Sequence, residues 1–321
     1  MPVAFLLVLC PMASEEENDD VRRAALSPLL TFDEFRPLSS SVSVECGAQS
    51  HRGTSRQSNE GHYLVVRLGR HQETLMTSLS AAEMPPRFDE SGYVMLVADG
   101  LGEGGSGSVA SRVALSTLAH LALHYGKWNL RIDSSTASEI FERMEWYYHR
   151  ADAAVLARSR ESPLLTGMST ALTAAYSVGD ELFVAHVGHS RAYLFRDGAL
   201  IRLTRDHTME QHLTDTGRPV SVERRAQDLG HILTDAVGAR GEHPLVEVER
   251  FRLLNGDCVL LCTNGLTDMV SDDQIAEVLA LRRRAGEQCA ILTDLANEKG
   301  GTDSITVVLA QYLIPLTAPE K

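Results

Sequence analysis

An apolar run that ends in a carboxylate occupies residues 94–102, VMLVADGLG, and glycines follow the carboxylate at once. The run is short and partly β-branched, which favours a buried strand. Asp99 is predicted at the end of this strand, where Gly100 and Gly102 let the backbone turn closely around it. A buried carboxylate is costly unless its charge is compensated, and Mg²⁺ or Mn²⁺ would compensate it. An Asp-Gly turn after a strand is also common without a metal, so this stretch alone leaves both interpretations open.

The composition is that of an ordinary globular protein. The 321 residues are 44% hydrophobic and 23% charged, enough for one large core or two domains. A formal net charge of −13 gives the chain no electrostatic reason to bind nucleic acid or an anionic membrane surface. The five cysteines are scattered and form no C-x-x-C pair, which favours a reducing compartment. With no signal peptide or transmembrane segment recognisable, we expect a cytoplasmic protein.

The order of predicted elements is that of an α+β protein, because two long helices in succession have strands on both sides. An acidic N-terminal tail is expected over residues 1–43 and a short C-terminal tail over 314–321. An exposed loop is expected over 71–90. Strands are predicted at 41–46, 63–66, 94–98, 169–176, 181–187, 191–195, 200–203, 257–262 and 304–312, and helices at 109–122, 140–157, 272–280 and 285–298. Part of 209–229 is also expected to be helical.

Six further motifs accompany the Asp99-Gly100 turn. In chain order they are RQSNEG (56–61), GMST (167–170), HVGHSRA (186–192), LTRDH (203–207), NGLTD (264–268) and GGTDSIT (300–306). Together and in this order they resemble the motifs of the metal-dependent protein phosphatases of type 2C, the PPM-type serine/threonine phosphatases, and the bacterial members in particular. The similarity extends over residues 44–313, which predicts one phosphatase domain between the two tails.

The resemblance implies a fold and a reaction. The fold is a sandwich of two antiparallel β-sheets flanked by pairs of α-helices. The reaction is hydrolysis of phosphoserine and phosphothreonine in proteins, in which two Mn²⁺ or Mg²⁺ ions activate a water that attacks phosphorus without a phosphoenzyme. The resemblance also implies phosphoprotein substrates, a partner serine/threonine kinase and a monomeric protein.

Five positions keep the residue types of the family's site. Arg56 matches the arginine that binds the substrate phosphate, for which its planar fork is suited. Asp99 matches the carboxylate that bridges the two ions, and the Gly100 carbonyl matches a ligand of one ion. Asp303 matches a carboxylate ligand of the other ion. Glu60 matches the acidic residue that helps to organise water at the metal centre.

Three positions where the family has aspartate carry other residues here. Gly61 replaces the aspartate of N-E-D, His189 that of G-D-S-R, and Asn264 that of S-D-G. As a metal ligand Asn264 still offers an amide oxygen, but a neutral one, and two neighbouring cations need carboxylates to offset their repulsion. Loss of a carboxylate that orients coordinated water costs roughly 10–100-fold. His189 is a poor Mg²⁺ ligand and is interpreted as a simple replacement. We therefore expect a weakened site that holds two ions, one or none.

Two functions of different classes follow. The first is a serine/threonine phosphatase whose metal site is weakened. The second is a catalytically inactive pseudophosphatase that keeps the fold as a regulatory module for binding a phosphoprotein or a kinase. The replacements at Gly61, His189 and Asn264, taken together, are the sequence feature that distinguishes the enzyme from the pseudophosphatase. One lost aspartate would be tolerable, whereas three in one site weaken the binding of cations.

Overall fold

The computed structural model describes residues 38–80, 88–127, 134–217, 229–239, 241 and 243–315. The strands are β1 (Ser43–His51), β2 (Gly61–Gln72), β3 (Phe88–Leu101), β4 (Ser169–Val178), β5 (Glu181–Val187), β6 (Arg191–Arg196), β7 (Ala199–Arg202), β8 (Glu247–Arg252), β9 (Cys258–Cys262) and β10 (Ile305–Leu313). The α-helices are α1 (Ser106–Tyr125), α2 (Ser134–Ser159), α3 (Met209–Asp215), α4 (Asn264–Thr267), α5 (Asp272–Ala280) and α6 (Ala285–Glu298). The large compact unit comprises residues 37–70 and 90–321; of the second unit only 71–80, 88 and 89 are described.

The strands form two five-stranded sheets. The order is β1-β10-β9-β6-β7 in the first sheet and β2-β3-β4-β5-β8 in the second. In the first sheet β1 pairs antiparallel with β10 from Ser43↔Leu313 to His51↔Ile305. In the second sheet β3, β4, β5 and β8 pair antiparallel in succession. The first and last strands of the domain are therefore neighbours, and each sheet combines segments distant in sequence.

The two sheets pack face to face, and each carries helices on its outer face. In β3, Met95 and Val97 lie in the core between the sheets, together with residues of β9 and β10. The alternate residues Leu96 and Ala98 pack against α1 and α2. In β9 of the first sheet, Leu260 packs against α5 and α6 in the same way. Since side chains alternate along a strand, each sheet buries both faces. The predicted α+β sandwich of two sheets flanked by helix pairs is confirmed.

Helix and turn signals in the sequence account for three local features of the structure. Helix α6 begins and ends at the predicted residues. Helix α5 is capped by Ser271, whose hydroxyl accepts a hydrogen bond from the Gln274 backbone N–H while its own N–H donates to the Gln274 side chain. The hairpin between β6 and β7 turns at Asp197 and Gly198, both with positive φ, at 51° and 84°. Such a pair of angles is typical of a tight two-residue hairpin.

Other local predictions are wrong. Strand β3 does not end before Asp99 but continues to Leu101, because its ladder with β4 runs through Leu101↔Ser169. The expected loop over 71–90 is shorter at both ends, since β2 runs to Gln72 and β3 begins at Phe88, while 81–87 lie outside the described residues. Strand β8 was not predicted, because its sequence EVERFR is mostly charged, as suits an edge strand.

The predicted tails lie largely outside the described residues, apart from 38–43 and 314–315. Strand β1 begins at Ser43 and β10 ends at Leu313, close to the limits predicted for the domain, 44 and 313. Among the described helices, none combines the length and the apolar composition needed to cross a bilayer.

A buried polar chain centred on His186 lies below the turn that follows β5. The His186 Nε2 lies 3.0 Å from the Gly188 carbonyl and its Nδ1 lies 2.8 Å from the Thr173 hydroxyl. A carbonyl only accepts, so Nε2 carries the hydrogen and Nδ1 accepts from Thr173, which in turn lies 2.7 Å from the Ser190 hydroxyl. Burial lowers the pKa of His186 to about 3, and neighbouring His207 acts in the same direction. His186 is therefore neutral in the folded protein.

This neutral histidine predicts a loss of stability in acid. As the pH falls through 6.5, the unfolded chain binds a proton at His186 and the folded protein does not. Between pH 7 and pH 5 the free energy of unfolding should therefore fall by about 2 kcal/mol on account of this residue. Urea unfolding at both pH values should show this additional loss in the native protein and not in His186→Gln. Equal pH dependence in both proteins would contradict the assignment.

Candidate metal and phosphate site

Asp99 lies near the end of β3, close to the start of α1. Strand alternation places its side chain on the same face as Met95 and Val97, toward the space between the sheets. A Cβ atom on Gly100 would overlap the Gly107 carbonyl, so only glycine allows the first turn of α1 to pack this closely on β3. The Thr170 hydroxyl donates a hydrogen bond to the Asp99 carbonyl at 2.8 Å. The position of this carboxylate is thus set by backbone packing.

The backbone of Glu60 ties four segments together beneath the site. Its N–H donates to the Ser304 hydroxyl at 3.1 Å. Its carbonyl accepts hydrogen bonds from the Gly100 N–H at 3.1 Å and the Ser111 hydroxyl at 2.8 Å. Ser304, which stands where the family has asparagine, therefore helps to hold the loop before β2. Through these bonds, β3, α1 and the start of β10 meet at Glu60.

Arg56 is the positive charge of the site. Its Nη2 lies 2.8 Å from Asp303 Oδ2, and Asp303 Oδ1 accepts from the Ser304 N–H at 2.7 Å. This hydrogen bond to Asp303 is the largest contribution that raises the pKa of Arg56, and the nearby carboxylates of Glu60 and Asp99 add to it. The Arg56 side chain is 46% exposed, so its guanidinium remains accessible to a ligand from solvent.

The carboxylate of Asp99 is buried without a partner. The residue is 3% exposed, and no described residue donates a hydrogen bond to its carboxylate or forms an ion pair with it. Burial raises the pKa of Asp99 well above its ordinary value, the Asp303 and Glu60 charges act in the same direction, and Arg56 opposes them. A cation that favours oxygen ligands would relieve this cost.

Glu60 carries the third carboxylate of this cluster. Burial raises the pKa of Glu60, and the Arg56 guanidinium opposes that effect. Hydrogen bonds from the backbone N–H groups of Ser108 and Gly107, in the first turn of α1, also stabilise its charged form. A carboxylate held there can orient a water molecule toward the same space that Asp99 faces.

The residues present fit a hydrated hard cation. Besides the Asp99 carboxylate, Asn264 presents a buried Oδ1 that accepts no hydrogen bond from any described residue. Within the described ranges, no three His, Cys, Asp or Glu side chains form a metal site by themselves. Mg²⁺ and ions like it are often held by only one or two carboxylates, with water completing the shell. The donor set is therefore suited to one such ion more than to two.

The three replaced positions differ in how the chain fills them. A Cβ atom on Gly61 would overlap the Thr306 hydroxyl, which shares a hydrogen bond of 2.8 Å with the Ser50 hydroxyl. The Thr306 hydroxyl thus lies where a side chain at position 61 would begin. His189 is 4% exposed, and burial lowers its pKa to about 4 although the Asp206 carboxylate opposes this. A neutral ring, whose Nδ1 has no hydrogen-bond partner in the described part of the chain, therefore replaces a negative charge.

Two residues join the site without having been assigned a role from the sequence. Asp268 Oδ2 accepts a hydrogen bond from Asn264 Nδ2 at 3.1 Å, and His231 Nε2 lies 3.9 Å from the same oxygen. Burial raises the pKa of Asp268 and His231 opposes this. The spacing of four residues between Asn264 and Asp268 is a local signal for such a contact. No local signal marks His231, which comes from a separate loop.

Arg56 should compete with a cation for Asp303. Replacing Arg56 by glutamine removes both the ion pair and a positive charge near the carboxylates. We expect Arg56→Gln to bind Mn²⁺ about threefold to fivefold more tightly in calorimetry, as befits a half-exposed pair. Arg52→Gln, in the same loop, is the matched control and should bind as the native protein does. Weaker binding by Arg56→Gln would show that Arg56 does not oppose the cation.

Comparison with known proteins agrees with this geometry. Residues 87–298 match the family model described as protein phosphatase 2C. The chain is 34% identical over 220 residues to the serine/threonine protein phosphatase PstP of Mycobacterium tuberculosis, which covers 68% of this chain and 40% of that protein. It is 32% identical over 220 residues to the serine/threonine phosphatase stp of Listeria monocytogenes, covering 68% and 84% respectively. The chain thus spans about two fifths of the length of PstP and most of stp.

A solved structure is similar over almost its whole length. The catalytic domain of PstP in complex with two manganese ions superimposes with a TM-score of 0.63 at 28% identity, covering 85% of this chain and 99% of that one. In that relative the fold holds two Mn²⁺ ions.

Proposed function

Since the chain belongs to the protein phosphatase 2C family, we propose that it is a metal-dependent protein serine/threonine phosphatase with a weakened metal site. The observation that carries this proposal is the buried Asp99 carboxylate, which lacks a partner among the described residues and lies beside the Arg56–Asp303 pair. An uncompensated buried carboxylate destabilises the fold, and a bound cation would remove that cost.

Each residue has a role in the proposed reaction. Asp99, Asp303, the Asn264 amide and the Gly100 carbonyl would hold the cation. Bound Mn²⁺ or Mg²⁺ would supply Lewis-acid activation of a water molecule. Arg56 binds the phosphate oxygens through its planar guanidinium when Asp303 binds the cation and no longer pairs with the arginine. Glu60 orients the attacking water and is itself held by the first turn of α1.

A second function is favoured by the replaced positions. Gly61, His189 and Asn264 remove three negative charges from one site, and the Thr306 hydroxyl occupies the space beside Gly61. A pseudophosphatase would keep Arg56 as a phosphate-binding group without turnover and would act as a binding module for a phosphoprotein or a kinase. For either function we propose phosphoserine and phosphothreonine proteins as ligands, a monomeric state and a cytoplasmic location. The four free cysteines of the described part are compatible with that location.

Removing the charge of Asp99 tests the cation directly. Asp99→Asn keeps the size of the side chain, so the fold should persist and its thermal stability without metal should not fall. We expect the rate of Mn²⁺-stimulated hydrolysis of p-nitrophenyl phosphate to fall about 100-fold or more. The variant loses an ion that stabilises the transition state by several kcal/mol. Asp197→Asn in the exposed hairpin makes the same charge change and serves as control. Unchanged Mn²⁺ dependence in Asp99→Asn would refute the proposed site.

Restoring the family's aspartates separates the two functions. Asn264→Asp should raise Mn²⁺ affinity about tenfold, because it returns a charge to the ion's ligands. Gly61→Asp should lower thermal stability unless the Thr306 hydroxyl moves, so the double variant is measured beside each single one. Calorimetry with Mn²⁺ and a phosphopeptide assay give the outcome. Turnover by the native protein supports the enzyme, and turnover by the Gly61→Asp/Asn264→Asp variant alone supports the pseudophosphatase.

A further inference from the structure

A cavity of about 560 Å³ lies beside the candidate metal site. Leu101 and Ser169 line it, and Leu101 follows directly after Gly100 on β3. His231 lines it as well and lies 3.5 Å from the Asn264 amide nitrogen. The cavity therefore begins where the metal site ends, and no step of the proposed reaction uses it.

The site and the cavity are connected along β3 by the two residues that follow Asp99, Gly100 and Leu101. Leu101 lies two residues beyond Asp99 on an extended strand, which corresponds to about 7 Å at the rise of a β-strand. In an extended substrate, a residue two positions from the phosphorylated one lies about 7 Å away as well. A substrate with its phosphate at Arg56 and Asp99 can thus place a neighbouring side chain in the cavity.

The wall opposite β3 is held in place before any ligand arrives. Val237 exchanges two backbone hydrogen bonds, of 2.8 and 2.9 Å, with Thr170 of β4. The Gly238 N–H donates to the buried Asp152 carboxylate of α2 at 2.7 Å. Gly238 has a φ of 86°, and a Cβ there would overlap Val155, so the close approach requires glycine. A preformed wall lowers the entropic cost of binding a flexible peptide.

The cavity has one carboxylate among its described lining residues, that of Asp235. Asp235 Oδ2 accepts a hydrogen bond from the Leu245 N–H at 2.9 Å, and the carboxylate forms no ion pair with any described residue. The two histidines of the wall face other carboxylates: His231 lies 3.9 Å from Asp268, and His243 lies 3.5 Å from Asp152. Among the described lining residues, the charge that remains without an ionic partner is thus the negative one of Asp235.

We propose that this cavity binds the polypeptide that flanks the phosphorylated residue of the substrate, and that Asp235 selects a basic side chain two residues from it. Apolar side chains such as Leu101, Leu233 and Leu245 line the same cavity and suit the methylene stem of arginine or lysine. The inference rests on the proposed function, because it places the phosphate of the substrate at Arg56 and Asp99.

Two phosphopeptides test this selection. Both carry a central phosphothreonine; one has arginine two residues away on each side, and the other has glutamine there. With Mn²⁺ present, the native protein should prefer the arginine peptide about fivefold in fluorescence-anisotropy binding, and the preference should shrink in high salt. Asp235→Asn keeps an acceptor for the Leu245 N–H and should bind the two peptides within twofold of each other. Asp294→Asn, on the exposed side of α6, is the control and should keep the native preference.

Hydrolysis of p-nitrophenyl phosphate reports the proposed function separately, because that substrate has no flanking residues. Asp235→Asn should hydrolyse it at the native rate if the protein is an enzyme, and should raise KM for the arginine peptide without changing kcat. If the native protein has no turnover, the comparison of arginine-peptide and glutamine-peptide binding still tests the inference. Equal binding of both peptides by the native protein, no binding of either, or the same loss in Asp294→Asn would each overturn the inference.

Discussion

A buried carboxylate without a partner among the described residues is the constraint around which the site is arranged. Asp99 lies on a strand whose alternate residues fill the core between two sheets, so it cannot turn to solvent without disturbing that core. The nearby charges of Asp303 and Glu60 make its ionised form more costly, and only Arg56 offsets them. A positive charge must therefore enter this space when Asp99 is ionised. In the family such a charge comes from divalent cations, as in the PstP complex with two manganese ions.

The replacements in this chain lower the negative charge that cations would compensate, but the carboxylates of Asp99, Asp303 and Glu60 remain. His189 and Asn264 are buried and neutral, and one polar atom of each has no hydrogen-bond partner among the residues that the structure describes. The Thr306 hydroxyl, hydrogen-bonded to Ser50, lies where a Cβ atom at position 61 would be, so an aspartate there would require this hydroxyl to move. With fewer negative charges, the Arg56 guanidinium can neutralise much of what remains. The same arginine is the internal counterion of the site and, under the proposed function, would also bind the substrate phosphate, which would couple cation binding to phosphate binding.

Hydrogen bonds fix both the carboxylates of the site and the wall of the adjacent cavity. The Glu60 backbone joins β3, α1 and the start of β10 through hydrogen bonds, which keeps the carboxylates in place. The wall of the adjacent cavity is anchored to β4 and to the buried Asp152 of α2. Phosphate recognition would thus belong to the shared framework of the family. Recognition of the flanking residues would belong to the loop that carries Asp235 and lines the cavity.

The sequence alone indicated the fold class and the position of the central strand. Through the family resemblance of its motifs, it also indicated Arg56, Glu60, Asp99 and Asp303 as candidate site residues. It also identified the replaced aspartates. Only the tertiary structure decided that β3 continues through Asp99, since the ladder with Ala171 and Ser169 depends on a strand about seventy residues away. The filled space at Gly61, the contacts of Asp268 with His231, and the cavity with Asp235 likewise arise between segments distant in the chain. Periodicity reports which face of an element is buried, whereas these contacts depend on which distant side chain meets that face when the sheets pack.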